Sequence, residues 1–247
     1  MKQQPKKKPL RILLYNVGYA TALDGSLRNY VLKSYRYLYT PRSIIRRVRK
    51  ALHALLTSEK PDLCCFVEVH RRHGFIPHEH AYRSYHMANK YGYASLLRHL
   101  PFFRDNCNGF VSREQVPFER LYFRNGTKKL VYAIRVHEDL TLFLVHFSLK
   151  ETTRGRQCEE LREMIKGRGK VVLCGDFNVF RGMGELRTLA NDCGLQIIAT
   201  TPTFPAVKPS KSLDLFLCSQ DLGPATARVL SDVQVSDHLP VMLEVMA

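Results

Sequence analysis

Residues 171–178 read Val-Val-Leu-Cys-Gly-Asp-Phe-Asn, an apolar run that stops at a carboxylate and an amide. Val171–Gly175 is short, β-branched and closed by a turn signal, so it predicts a buried strand. Asp176 directly follows, at the rim of the core, where an unpaired carboxylate is costly. In extended chain Asn178 projects to the same side as Asp176. A carboxylate beside an amide can position a water and a phosphate oxygen together. Gly-Asp-x-Asn is also good turn chemistry, and this stretch alone does not choose.

The same arrangement recurs elsewhere. Leu10–Tyr15 is a short apolar strand ending at Asn16, Asp62–Glu68 ends in a carboxylate, and Leu140–His146 ends in an imidazole. Parallel and mixed sheets build their sites at such strand ends. Asp214 interrupts the apolar run Leu213–Leu217, and a lone buried Asp needs a partner, for which a histidine is the obvious candidate. The alternative is a carboxylate that only bonds backbone. Val235-Ser236-Asp237-His238-Leu239-Pro240 then places a carboxylate and an imidazole side by side before a last apolar strand. Glu and Asp carboxylates with an Asn amide are hard oxygen ligands, which suit Mg²⁺ or Mn²⁺ and not zinc.

Between these points, Thr40-Pro41 predicts a helix start with Thr40 as N-cap. Ile44, Ile45, Val48, Ala51, Leu52, Leu55 and Leu56 follow at helical spacing until Pro61. Tyr19–Tyr39 has no clean period and reads as a structured loop. His70–Arg104 is basic, aromatic and irregular, to be read as helix plus loops. Cys107–Ser112, Glu119–Arg124 and Lys128–Val136 predict strands, the last two joined by a tight Asn125-Gly126 hairpin. Arg156–Lys166 and Glu185–Cys193 predict helices, the second with Gly194 as C-cap. Leu195–Ala199, Ser212–Ser219, Thr226–Ser231 and Val241–Met246 predict the remaining strands. Many strands with few helices, and hairpins in both halves, favour two packed sheets with helices outside. No linker divides the chain. The reading is a basic disordered tail over 1–9 and a single domain over 10–247.

The 247 residues carry 38 Lys plus Arg against 22 Asp plus Glu, a net charge of +16. Such an excess concentrates anionic partners: nucleic acid, an acidic membrane surface or phosphorylated small molecules. A basic surface kept for solubility is the plain alternative. The 7 cysteines form no CxxC pair and sit mostly in apolar runs, a usage that suits a reducing compartment. No apolar stretch approaches the ~18 residues of a spanning helix. The expectation is a cytoplasmic monomer, with peripheral membrane contact as an open alternative.

These motifs closely resemble the endonuclease/exonuclease/phosphatase superfamily, which includes deoxyribonucleases, abasic-site endonucleases, inositol polyphosphate phosphatases and bacterial sphingomyelinases. The resemblance rests on YN (Asn16), PDLCCFVEV (Glu68), LVHFSL (His146), CGDFNVF (Asp176, Asn178), SLDLFL (Asp214) and SDHLPV (Asp237, His238), and spans Leu10 to Val245. It implies a four-layer α/β sandwich, two packed central mixed β-sheets flanked by helices. It implies Glu68 as principal metal ligand, with Asn16 and Asp237 contributing directly or through water. His238 paired with Asp214 would activate water or neutralise the scissile phosphate. Asp176 and Asn178 would orient water and phosphate, and His146 would stabilise the phosphate or protonate the leaving oxygen. Val67 stands where the family often has Gln, and Val69-His70 departs from abasic-site enzymes, which weakens a DNA-repair assignment.

The function expected is Mg²⁺-dependent hydrolysis of phosphodiesters, on DNA or RNA in the first instance. Asn108, Arg154 and Arg156 are the candidate substrate-binding residues. Arg42–Lys50 and Arg71-Arg72 could neutralise phosphates, with tyrosines of 30–39 and 82–93 as stacking surfaces. The alternatives are a sphingomyelinase-like phospholipid phosphodiesterase at a membrane surface, and a catalytically silent phosphate-binding module.

Overall fold

The computed structural model describes residues 8–73, 81–93 and 95–246, so the expected tail over 1–9 falls almost wholly outside the described residues. The apolar alternation of the strands decides the layering. In β1 (Leu10–Asn16) Ile12 and Leu14 face one way and Leu13 and Tyr15 the other, and all four are buried. A strand buried on both faces must lie in the middle layers.

Two six-stranded sheets result. The first runs β11 (Ala225–Val229), β12 (Val241–Val245), β1, β2 (Leu63–His70), β4 (Asn106–Ser112), β3 (Ser84–Asn89). The second runs β5 (Phe118–Tyr122), β6 (Leu130–His137), β7 (Leu140–His146), β8 (Lys170–Asp176), β10 (Asp214–Ser219), β9 (Leu195–Ile198). Each sheet has one parallel pair at its centre, β1 with β2 and β7 with β8, among antiparallel neighbours. One apolar cluster fills the space between the sheets. A second lies between the first sheet and α2 (Arg42–Glu59), and a third on the outer face of the second sheet, where α3 (Glu151–Ile165) and α4 (Arg187–Asp192) pack. The four-layer α/β sandwich is therefore the fold.

α2 buries Val48, Leu52, Leu55 and Leu56, each contributing roughly 1.5–3 kcal/mol on full burial. It begins one residue later than the Thr40-Pro41 reading. Pro41 takes the N-cap position, and the Thr40 hydroxyl instead donates to the Arg36 carbonyl. The segment Tyr19–Tyr39 is not a loop throughout: it holds α1 (Leu27–Lys33), capped by Ser26, and a 3-10 turn over Ser34–Tyr37. α1 buries none of its residues, so its sequence shows no apolar stripe. The irregular stretch 70–104 contains a strand, β3, which pairs with β4 at the sheet edge. The Asn125-Gly126 turn is not a tight hairpin. Tyr122 pairs with Leu130, leaving a loop over 123–129 that is held by Asn125 bonding Glu160. α3 begins at Glu151, earlier than Arg156.

Candidate active site

Strand ends from both sheets meet along one edge. In the first sheet Asn16 closes β1 in register with Val67 of β2, and in the second His146 pairs with Asp176, which pairs in turn with Asp214. The buried Asn16 amide crosses between the sheets and donates to Asp176 Oδ2 at 3.0 Å. Its own Oδ1 accepts from the Gly18 backbone at 3.0 Å.

Glu68 owes its place to a β-bulge. Leu63, Cys65 and Val67 face the inner core while Cys64 and Phe66 face α2. Strict alternation would send residue 68 to the α2 side. The register shift between Phe66 and Val69, with Glu68 at φ 56°, breaks that alternation. The Glu68 backbone N–H donates to Asn108 Oδ1 at 3.2 Å, so Asn108 fixes the bulge. The Glu68 carboxylate lies 3.6 Å from Lys90 Nζ, 4.0 Å from Lys128 Nζ and 3.7 Å from His146 Nε2. Burial alone would raise its carboxyl, but these groups overcome burial and hold it below the ordinary glutamate range.

His238 Nδ1 and Asp214 Oδ2 are 2.7 Å apart, and the same oxygen accepts from the Thr203 hydroxyl at 2.7 Å. This is the Asp–His pairing the sequence led us to expect. His238 Nε2 is left 4.0 Å from Asp176 Oδ2. Burial disfavours the charged ring, yet the carboxylate of Asp214 outweighs it and pushes His238 up to about 10. Asp176 is held well below the carboxylate range: against burial stand His146, at 3.4 Å, and the charge of His238. His146 is pushed down to about 4, by burial and then by Lys128, whose ammonium donates to its Nε2. The site thus drives two imidazoles in opposite directions on either side of a carboxylate that is itself driven down.

Of the two readings open to Asn178, its bonds show the turn. Its backbone N–H donates to Asp176 Oδ1 at 3.1 Å, which is turn chemistry, at a left-handed φ of 52°. Its side-chain amide donates to the Phe147 carbonyl at 2.9 Å, tying the β8 end to the β7 end. It does not extend beside Asp176 as a strand residue would.

Asp237 is buried, bonded through Oδ1 to Ser236 at 3.1 Å and through Oδ2 to the Tyr30 hydroxyl of α1. Burial raises its carboxyl, His238 lowers it and the charge of Glu68 raises it again. Glu68, half-buried, and Asp237, buried, repel one another and offer hard oxygens of the kind a divalent cation takes, while the Asn16 oxygen is already held by the Gly18 backbone. A tighter cluster of Asp176, Asp214 and His238 offers ligand atoms within 4.8 Å of one another. Asp214 Oδ2 in that cluster is already committed to the His238 ring and to Thr203.

One expected substrate contact has other work. Arg154 is buried, ion-paired to Glu185 and bonded to the Leu149 carbonyl at 2.5 Å. Its guanidinium joins α3 to the turn before α4 and has no free face for a substrate, which corrects the expected substrate contact. Arg156 is exposed on α3, with Nη1 3.5 Å from Asn125 Oδ1. The site also contains residues the motifs did not pick out: Tyr30, Lys90, Lys128 and Thr203. Lys90 and Lys128 were visible only as members of a basic chain, and nothing local marks a lysine that folds inward.

A sequence profile of the Endonuclease/Exonuclease/phosphatase family matches residues 41–238. No curated protein matches the sequence. Among solved structures, one titled endonuclease/exonuclease/phosphatase from Beutenbergia cavernae superposes with a TM-score of 0.69 at 17% identity, over 97% of this chain and 72% of that one. A humanised D. rerio TDP2 gives 0.65 at 14% identity, over 97% and 99%. A mannosyl-6-phosphatase from Bacteroides thetaiotaomicron gives 0.68 at 13% identity, over 96% and 100%. At such identities the likeness is one of fold.

Proposed function

Since the chain belongs to the endonuclease/exonuclease/phosphatase family, we propose that it hydrolyses phosphodiesters by in-line attack of water, with a divalent cation, Mg²⁺ or Mn²⁺, held by Glu68 and Asp237. The observation that carries the reading is the Asp176–His238–Asp214 arrangement, in which His238 Nδ1 lies 2.7 Å from Asp214 and its Nε2 4.0 Å from Asp176, with the Asp176 carboxyl driven down and the His238 ring driven up. Environments that drive neighbouring groups to opposite charge states assign acid and base roles.

When bound, the cation would neutralise charge on the phosphoryl oxygen. The chain's own residues do the rest. Asp176, ionised and fixed by Asn16 and the Asn178 backbone, accepts from the attacking water and orients it. His238, oriented through Nδ1 by Asp214, donates from Nε2 to a phosphoryl oxygen on which charge builds. His146 and Lys128 stand beside Glu68 to meet the leaving oxygen. Groups in such roles contribute ~10²–10⁴-fold each.

The test is His238→Ala and Asp214→Asn, assayed on bis(p-nitrophenyl) phosphate with and without Mg²⁺. Each should lower kcat by about 10²–10⁴-fold while circular dichroism stays native. A folded His238→Ala protein with near-native kcat ends the proposal, as does full activity after exhaustive chelation. D. rerio TDP2 has been solved with a single-strand DNA product, and the +16 charge suits a nucleic-acid substrate.

A further inference from the structure

Most large apolar side chains left in solvent fall in two stretches, 27–39 and 93–102. Leu27 is 80% exposed and Leu96 83%, and Val31, Leu32, Leu38 and Phe102 are each more than half exposed. The two stretches flank one cleft of about 850 Å³, with Tyr37, Leu38 and Tyr39 lining it from one and Pro101, Phe102 and Arg104 lining it from beside the other. Tyr19 also lines the cleft, and its hydroxyl accepts from Lys90, the neighbour of Glu68. α1 reaches the site directly, through Tyr30 and Asp237. The two apolar stretches thus meet at the cleft through Leu38 and Phe102, and α1 ties the first of them to Asp237.

The charge around them is mostly positive, with Asp24 at the head of α1 and Asp105 on the cleft wall as the acidic exceptions. From Gly25 to Ser58 there is no Asp or Glu, while Arg28, Lys33, Arg36 and Arg42 lie in or just after α1. Ala81–Arg104 also lacks acidic residues; Arg98 stands over the Tyr93 ring, Arg83 and Arg104 pair with Glu114 and Asp105, and Lys90 is buried beside Glu68. We propose that this rim docks the protein on an anionic bilayer, with Leu27, Val31 and Leu96 entering the interface and the arginines and lysines against headgroup phosphates. Apolar residues interleaved with basic ones are what such a surface recognises. A second copy of this chain is a poor occupant, because a two-fold contact would set the same cations against each other. A nucleic acid would use the tyrosines, but it would leave the aliphatic side chains in water.

Docking goes beyond the hydrolysis reading and does not depend on it. The test is co-sedimentation of the full chain, in chelator, with vesicles of phosphatidylcholine alone or of phosphatidylcholine with phosphatidylglycerol. The protein should pellet with the anionic vesicles and stay in solution with the neutral ones. L27S/V31S/L96S keeps every charge and alters only exposed positions. It should weaken partitioning on the order of tenfold or more and leave turnover of bis(p-nitrophenyl) phosphate unchanged. No pelleting of the wild type, or equal pelleting of the triple variant, overturns the proposal. So does a single-stranded oligonucleotide or a self-associated dimer whose binding falls in the triple variant while vesicle binding does not. Vesicle binding without any hydrolysis would count against the catalytic reading alone.

Discussion

His146 and His238 stand on either side of Asp176 and are driven in opposite directions, His146 down to about 4 and His238 up to about 10. The difference comes from neighbours: a carboxylate touches one ring and an ammonium the other. A third histidine shows the same physics away from the chemistry. His73 stacks on His70 with ring centroids 4.1 Å apart and bonds the Tyr19 carbonyl. Burial, and then His70, push it down to about 4, against the pull of Asp105. Its unfolded value is near 6.5, so between about 6.5 and about 4 the unfolded chain binds a proton that the native one refuses. This part of the stability is whole above about 6.5 and is lost as pH falls through that window. His73→Asn, whose amide can still meet the Tyr19 carbonyl, should flatten the fall of Tm on acidification. Parallel Tm curves for both proteins would refute the assignment. Of the catalytic set, the sequence showed every side chain that ends or interrupts an apolar run, Asp214 included. Thr203, Lys90, Lys128 and Tyr30 were hidden, because each reaches the site by a tertiary path that has no local pattern.

At the level of elements, strands buried on both faces could be read almost to the residue, as β1, β2 and β8 show. The misses were elements that bury little. α1 has no buried residue and β3 is a half-exposed edge strand, so neither carries the periodicity on which such reading rests. Arg154 is the opposite kind of miss, a charged residue on α3 that is buried. Its pair with Glu185 joins α3 to the turn over Met183–Leu186. Removing one member of a buried pair leaves the other without compensation, at about 3–5 kcal/mol. Arg154→Ala should therefore lower the urea midpoint markedly and leave KM unchanged. A raised KM with unchanged stability would return Arg154 to the substrate.

Over the whole molecule, Glu68 and Asp237 come from the first sheet's β2 and from the approach to its β12, and a cation between them would bind only the folded chain. Mg²⁺ should then raise Tm, by a stabilisation of about 2.7 kcal/mol at a concentration ~100-fold above Kd. Glu68→Gln should abolish most of that rise, and a rise that survives it would place the cation elsewhere. The order β11-β12-β1-β2 has a further consequence. On the ribosome β1 emerges early, but one of its two edges waits for β12, nearly the whole chain later. Asp237 and His238 leave the exit tunnel just ahead of that strand. Until then the nascent polypeptide holds an open strand edge and half a pocket, and it needs shelter from its own neighbours on the polysome.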